Sequence, residues 1–112
     1  MEPVDIEEHG TFKYVLVRVT NPKTGESDTL VRGYADCEYH QDVLDRVTPE
    51  AMAHGFDCEQ QGGGRIEVDK DEGSILVYGY SVAFGRANHQ TTVDILKQRF
   101  PEYTITFSNE GY

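Results

Sequence analysis

VRGYADCEYHQDVLDRV, residues 31–47, carries the passage from strand to helix on which the fold turns. It opens as a strand, turns through a short acidic linker, and enters a helical pattern just after His40. Val43, Leu44 and Val47 recur near a 3.6-residue period and share one face. His40 therefore falls at or just before a helix start, where backbone N–H groups lack intrahelical partners and favour an anion. An imidazole in that place can act as a base beside a bound phosphate. It can also cap the helix or make a surface contact, which is the commoner role of a histidine at a helix start.

Working outward, residues 12–20, FKYVLVRVT, form the strongest strand signal in the chain. Phe12, Tyr14 and Leu16 point one way and Val15, Val17 and Val19 the other, so both faces are apolar and the strand is expected to be central. Lys13 is a cation at the strand's start on a largely apolar row, and it either reaches solvent or is held for a ligand. A polar loop at 21–28 leads to a second strand, 29–34, which carries Arg32. The first ten residues are polar and are expected to form a loose arm. Thr48-Pro49-Glu50 predicts a kink or restart in the helix that follows His40, with an end at Gly55. Residues 65–69 and 74–80 alternate around Lys70-Asp71-Glu72-Gly73 and predict a hairpin, the second strand running on into VYGYSVAFG. Thr91 or Thr92 is the expected cap of a second helix, with Val93, Leu96 and Phe100 inward and Pro101 as its stop. A last strand, 103–107, precedes the tail SNEGY. Strands and helices mix without strict alternation. The expected fold is α+β, a single mixed β-sheet of about six strands with two α-helices packed on it, in one domain over 1–112.

Composition narrows the function. The chain has 112 residues, 38% of them hydrophobic, and a formal net charge of −10. A molecule this acidic repels nucleic acid and anionic membranes unless its cations cluster. No apolar run approaches the ~20 residues of a membrane span, and the acidic start does not have the form of a secretory signal. Cys37 and Cys58 stand 21 positions apart, outside metal or redox spacing, and are taken as free thiols of a cytoplasmic protein.

Gly62-Gly63-Gly64-Arg65 can bring bare backbone close to an oxyanion and aim a guanidinium at it, or it can be no more than a flexible hairpin entry. It is not a nucleotide P-loop, since no Gly-Lys-Ser/Thr follows. Nor does it fit a cysteine phosphatase loop. Six residues rather than five separate Cys58 from Arg65, Glu59 opposes a thiolate, and a strand follows. His9 and His54 are weak candidates, and His89, just before the second helix, could stand near a site. No histidine pair has metal spacing with a carboxylate, so neither metal nor other cofactor is expected.

FKYVLVRV, VRGYADCEYHQDV, GGGRI, VYGYSVAFG and SNEGY, in this order and spacing, resemble the phosphohistidine phosphatase (Janus/Ocnus) family over nearly the whole chain from about Phe12. The resemblance implies a small metal-independent phosphatase acting on phosphohistidine, and less readily on phospholysine, of proteins. It implies His40 as the catalytic residue, Lys13, Arg32 and Arg65 as phosphate-binding cations, and backbone donors at Gln41, Ser81 and Ala83. Relatives often carry alanine where Gln41 stands, and Val82 and Phe84 also depart from the family pattern, which bears on substrate choice. A monomer without nucleic-acid or membrane partners is expected. His40 would deprotonate the attacking water, or serve as nucleophile. The competing expectation is a phosphoprotein-binding regulatory protein of the Janus type with little turnover.

Overall fold

The sheet is organised around β2 (Gly10–Thr20), as its two apolar faces require. In this computed structural model, which describes residues 1–110, six strands lie in the order β1-β3-β2-β4-β5-β6. The others are β1 (Val4–Ile6), β3 (Ser27–Gly33), β4 (Asp57–Asp69), β5 (Ser74–Tyr78) and β6 (Thr104–Phe107). Helix α1 (His40–Ala53) joins β3 to β4, and α2 (His89–Arg99) joins β5 to β6. β1 runs parallel to β3 and β6 parallel to β5, while the other pairs are antiparallel, so the sheet is mixed and the fold is α+β. Of the expected tail SNEGY, Gly111 and Tyr112 lie outside the described residues.

Each face of β2 has its own core. Val15, Val17 and Val19 pack with Leu30 against Val43, Val47 and Ala51 of α1. Tyr14 and Leu16 pack with Ile66, Val68, Val77, Val93 and Leu96 on the α2 face. Fully burying a valine contributes about 1.5–3 kcal/mol, so the row opposite α1 is what fixes that helix on the sheet.

Several expectations need correction. The first ten residues are not a loose arm: Val4 pairs with Val31 and Ile6 with Gly33, and the alternation Val4-Asp5-Ile6 buries Val4 and half-buries Ile6. Helix α1 does not restart at Pro49 but runs through it to Ala53 with His54 as its C-cap, so its end falls just before Gly55 as expected. Pro49 sits on the exposed face, where the carbonyl it cannot bond is open to water, while Val47 and Ala51 hold the other face against the sheet. The cap of α2 is Asn88, whose side chain accepts from the Thr91 N–H at 3.2 Å, so Thr91 and Thr92 are inside the first turn. The strand expected to continue past Tyr80 stops at Tyr78.

The glycine run is also not a loop. Gly62, Gly63 and Gly64 lie inside the 13-residue strand β4. The register against β2 slips there: Val17 pairs with Gln60 but Val15 pairs with Gly63, so Gln61 and Gly62 together face Leu16. Gly62 takes the positive φ of +94° that this bulge needs. One extra residue inverts the alternation of everything beyond it. Cys58, before the bulge, packs on the α1 face, whereas Ile66, after it, packs on the α2 face. Arg65 is thereby turned toward α1.

Candidate active site

His40 is the first residue of α1, after Tyr39 as N-cap. Asp42 reaches back so that its Oδ2 accepts from the Tyr39 N–H at 2.9 Å, which fixes the entry of the chain into the helix. The His40 ring leaves the helix toward the sheet, is 6% exposed, and contacts the backbone of β4 at Gly63. A Cβ on Gly63 would stand 2.7 Å from His40 Cδ2 and 2.8 Å from the Tyr14 carbonyl oxygen, so only glycine admits the imidazole here.

His40 Nε2 lies 2.9 Å from the carbonyl oxygen of Gly64. A carbonyl can only accept, so Nε2 carries the proton and Nδ1 keeps its lone pair. Burial holds the His40 pKa below the ordinary imidazole range; the Gly64 hydrogen bond opposes that shift, and the nearby Lys13 and Arg65 charges add to it. Lys13 and Arg65 stand directly opposite each other on β2 and β4, both half-buried and both on the α1 face. The fold thus brings together a neutral buried imidazole, two cations and a helix N-terminus.

The remaining expected site residues are placed differently. Gln41 is exposed, and its side chain donates to Asp45 Oδ1 at 2.8 Å, leaving only its backbone directed by the helix start. Arg32 is on the same face but 1% exposed, donating from Nη2 to Glu2 O at 2.7 Å and from Nη1 to Val31 O at 3.1 Å. In this arrangement it ties the N-terminal segment to β3. The Ser81 N–H donates to Gly85 O at 3.1 Å and its Oγ accepts from the Phe84 N–H at 3.0 Å, so Ser81 builds its loop. Ala83 is at the exposed tip of that loop. Gly85 O also accepts from the Gly63 N–H at 3.0 Å, and Gly62 N–H donates to Gln60 Oε1 at 2.7 Å. The glycine run therefore uses these donors within the fold; its service to the site is close packing, not an anion cradle.

The other candidates separate clearly. His89 lies on the opposite face of the sheet, where Tyr14 OH is 2.6 Å from its Nδ1 and Gly79 O is 2.8 Å from its Nε2. Burial keeps it neutral, with Gly79 acting against the shift and Arg86 with it. Cys58 pairs with Val19 while Arg65 pairs with Lys13, which at ~3.3 Å per residue places them roughly 20 Å apart along the sheet. Burial also pushes the Cys58 thiol up, so a cysteine nucleophile for Arg65 does not exist here. Among the described residues, no three His, Cys, Asp or Glu side chains converge as metal ligands, and no helix is long and apolar enough to cross a membrane.

The family model of the Janus/Ocnus family matches residues 1–104. The chain belongs to the Janus/Ocnus family. Within curated members, the chain is 46% identical to the 14 kDa phosphohistidine phosphatase of Sus scrofa, covering 97% of this chain and 90% of the relative. It is 45% identical to the protein of that name from Homo sapiens, covering 97% and 91%. The sex-regulated protein janus-A of Drosophila melanogaster is 41% identical, over 97% of this chain and 80% of the relative. Membership covers the strand, helix and glycine-run segments that build the His40 site. Val82 is 81% exposed, and Phe84 packs on the α1 face.

Proposed function

We propose that this protein is a protein phosphohistidine phosphatase, hydrolysing the phosphoramidate bond with His40 as general base. The observation that carries the reading is the Nε2–H···O=C bond from His40 to Gly64, which leaves the Nδ1 lone pair as the free position of a neutral imidazole beside Lys13 and Arg65. The names of the 14 kDa relatives support the substrate class.

Phosphoryl transfer asks chiefly for positioning and charge stabilisation. Lys13 and Arg65 stand directly opposite across two strands, so a phosphoryl group between them would meet both cations. First-turn N–H groups of α1, Gln41 among them, and the backbone at Ala83 are the further donors in this reading. Arg32 and Ser81 act behind them, as anchor of the N-terminal strand and as loop closure. Water attacks phosphorus as His40 Nδ1 takes its proton, and the P–N bond breaks with the substrate imidazole leaving once protonated. Metal-independence follows from the site's own charge: two fixed cations stabilise the transferring group and repel a metal ion. Phospholysine would be a poorer substrate, and the free thiols Cys37 and Cys58 suit a reducing cytoplasmic compartment.

The test is phosphate release from a phosphohistidine peptide and from phosphoramidate in the presence of chelator. Sustained turnover supports the reading. Binding of the phosphopeptide without release would instead favour a regulatory, phosphoprotein-binding role, and loss of turnover on chelation would overturn metal-independence. Rapid-quench trapping of a phosphoryl group on His40 would replace the general base by a nucleophile.

A further inference from the structure

Behind the glycine run, on the face away from His40, three polar side chains are buried that the chemistry above does not use. Tyr14 OH is 2.6 Å from His89 Nδ1 and 2.9 Å from Thr92 Oγ1. His89 Nε2 is 2.8 Å from Gly79 O, which fixes the tautomer: Nε2 donates to the carbonyl, and Nδ1 accepts from Tyr14. Tyr14, His89 and Thr92 are almost wholly withdrawn from water. A buried polar chain of this kind is tolerated when its members are satisfied, and it then fixes the elements it joins. Those elements are β2 through Tyr14, α2 through His89 and Thr92, and the exit of β5 through Gly79.

The network meets the active site at Gly64. Tyr14 is the β2 partner of Gly64. A Cβ on Gly64 would stand 2.7 Å from His89 Cε1, so the edge of the His89 ring rests against this backbone. The carbonyl of the same residue accepts from His40 Nε2 at 2.9 Å. One peptide is thus held between two imidazoles, His40 from the α1 face and His89 from the α2 face. Gly64 has no side chain to fix it, so the fit of its neighbours sets where its carbonyl points.

We propose that His89 is a positioning residue: with Tyr14 and Thr92 it backs Gly64, so that the carbonyl holds His40 with Nδ1 free. This rests on the phosphatase reading with His40 as the base. If the backing is loosened, the Gly64 carbonyl shifts, His40 exchanges between tautomers, and the fraction with Nδ1 free falls. Misplacement near 1 Å costs up to about a hundred-fold in rate. The loss falls on kcat, because Lys13 and Arg65 on the other face still bind the phosphoryl group.

The experiment combines imidazole nitrogen NMR of the free protein with steady-state kinetics on phosphoramidate. Wild type is expected to show His40 as the single Nε2–H tautomer. Tyr14→Phe removes one hydroxyl and keeps the ring, so it is the variant that should stay folded. It is expected to show a second His40 tautomer and a kcat lowered about ten-fold, with KM unchanged. His89→Leu should lose more, and His89→Gln, which keeps a donor for Gly79 O, should recover part of it. A wild-type His40 in the Nδ1–H form overturns the proposal. So does a folded Tyr14→Phe whose His40 tautomer is unaltered, whatever its kcat. The tautomer is read without turnover, so a wild type that releases no phosphate overturns the phosphatase reading alone.

Discussion

Gly63→Ala is the smallest change that reaches the proposed base. The added Cβ would stand 2.7 Å from His40 Cδ2 and 2.8 Å from the Tyr14 carbonyl oxygen. Two carbons rest at ~3.5 Å, so the ring must withdraw by about 0.8 Å, or β2 and β4 must part by a similar distance. Overpacking of this kind costs about 1–3 kcal/mol, which lowers Tm by at least about 4 °C in a domain of this size. Withdrawal of the ring also stretches its bond to Gly64 O and moves Nδ1 off the line of attack. A shift near 1 Å costs up to about a hundred-fold, so kcat on phosphohistidine peptide should fall between about ten- and a hundred-fold. KM should change less, since neither Lys13 nor Arg65 is among the nearest neighbours of the added Cβ. Gly64→Ala is the comparison, because its Cβ meets Tyr78 O at 2.5 Å and His89 on the other face, and it should cost more stability. Melting curves and kinetics on one preparation decide the matter. A folded Gly63→Ala with wild-type kcat would refute the placement of His40 against β4 as the catalytic geometry.

His40→Ala should keep the fold and lose about 10²–10⁴ in kcat/KM, and a folded variant of near-full activity would remove His40 from the chemistry. Because burial holds the His40 pKa below its ordinary value, the acidic limb of kcat/KM should lie below the free-imidazole pKa of about 6.5. Stability follows the same sign: the unfolded chain takes up protons at His40 and His89 before the native state does, so ΔG of unfolding should fall as pH drops below about 6.5. A melting temperature flat across that window would contradict both shifts. Arg65→Ala should cost roughly ten- to two-hundred-fold in kcat/KM and Arg65→Lys should restore part of it, whereas unchanged kinetics would take Arg65 out of the phosphate site. Cys58→Ser should leave activity intact, its thiol being held protonated by burial; a folded but inactive variant would reopen a cysteine mechanism.

Local pattern carried much of this protein. Two-sided apolar alternation in residues 12–20 makes β2 central, because a strand apolar on both faces must be covered on both. The period of Val43, Leu44 and Val47 puts His40 at the first turn of α1. The alternation of residues 65–69 and 74–78 around the turn at Lys70–Gly73 marks the hairpin of β4 with β5, whereas the glycines before Arg65 give no sign that β4 begins as far back as Asp57. Such signals are legible because each depends on residues a few positions apart. The alternation Val4-Asp5-Ile6 and the cap at Asn88 are equally local, but the polarity around the first and the threonines after the second give competing signals.

What tertiary structure alone decided is which side each group serves. Arg65 faces His40 only because Gln61 and Gly62 together oppose the single Leu16, and a count of paired residues across two strands is not written in either strand. Arg32 shares that face, yet its guanidinium is taken by Glu2 O, a carbonyl thirty positions away. The N–H groups of Gly63 and Ser81 are taken by Gly85 O, so neither remains for an anion. His89, the first residue of its helix just as His40 is, ends on the far face. A sequence gives side chains their direction relative to neighbours on the same element; the sheet, by fixing register and which helix covers which face, turns those directions into one site or two.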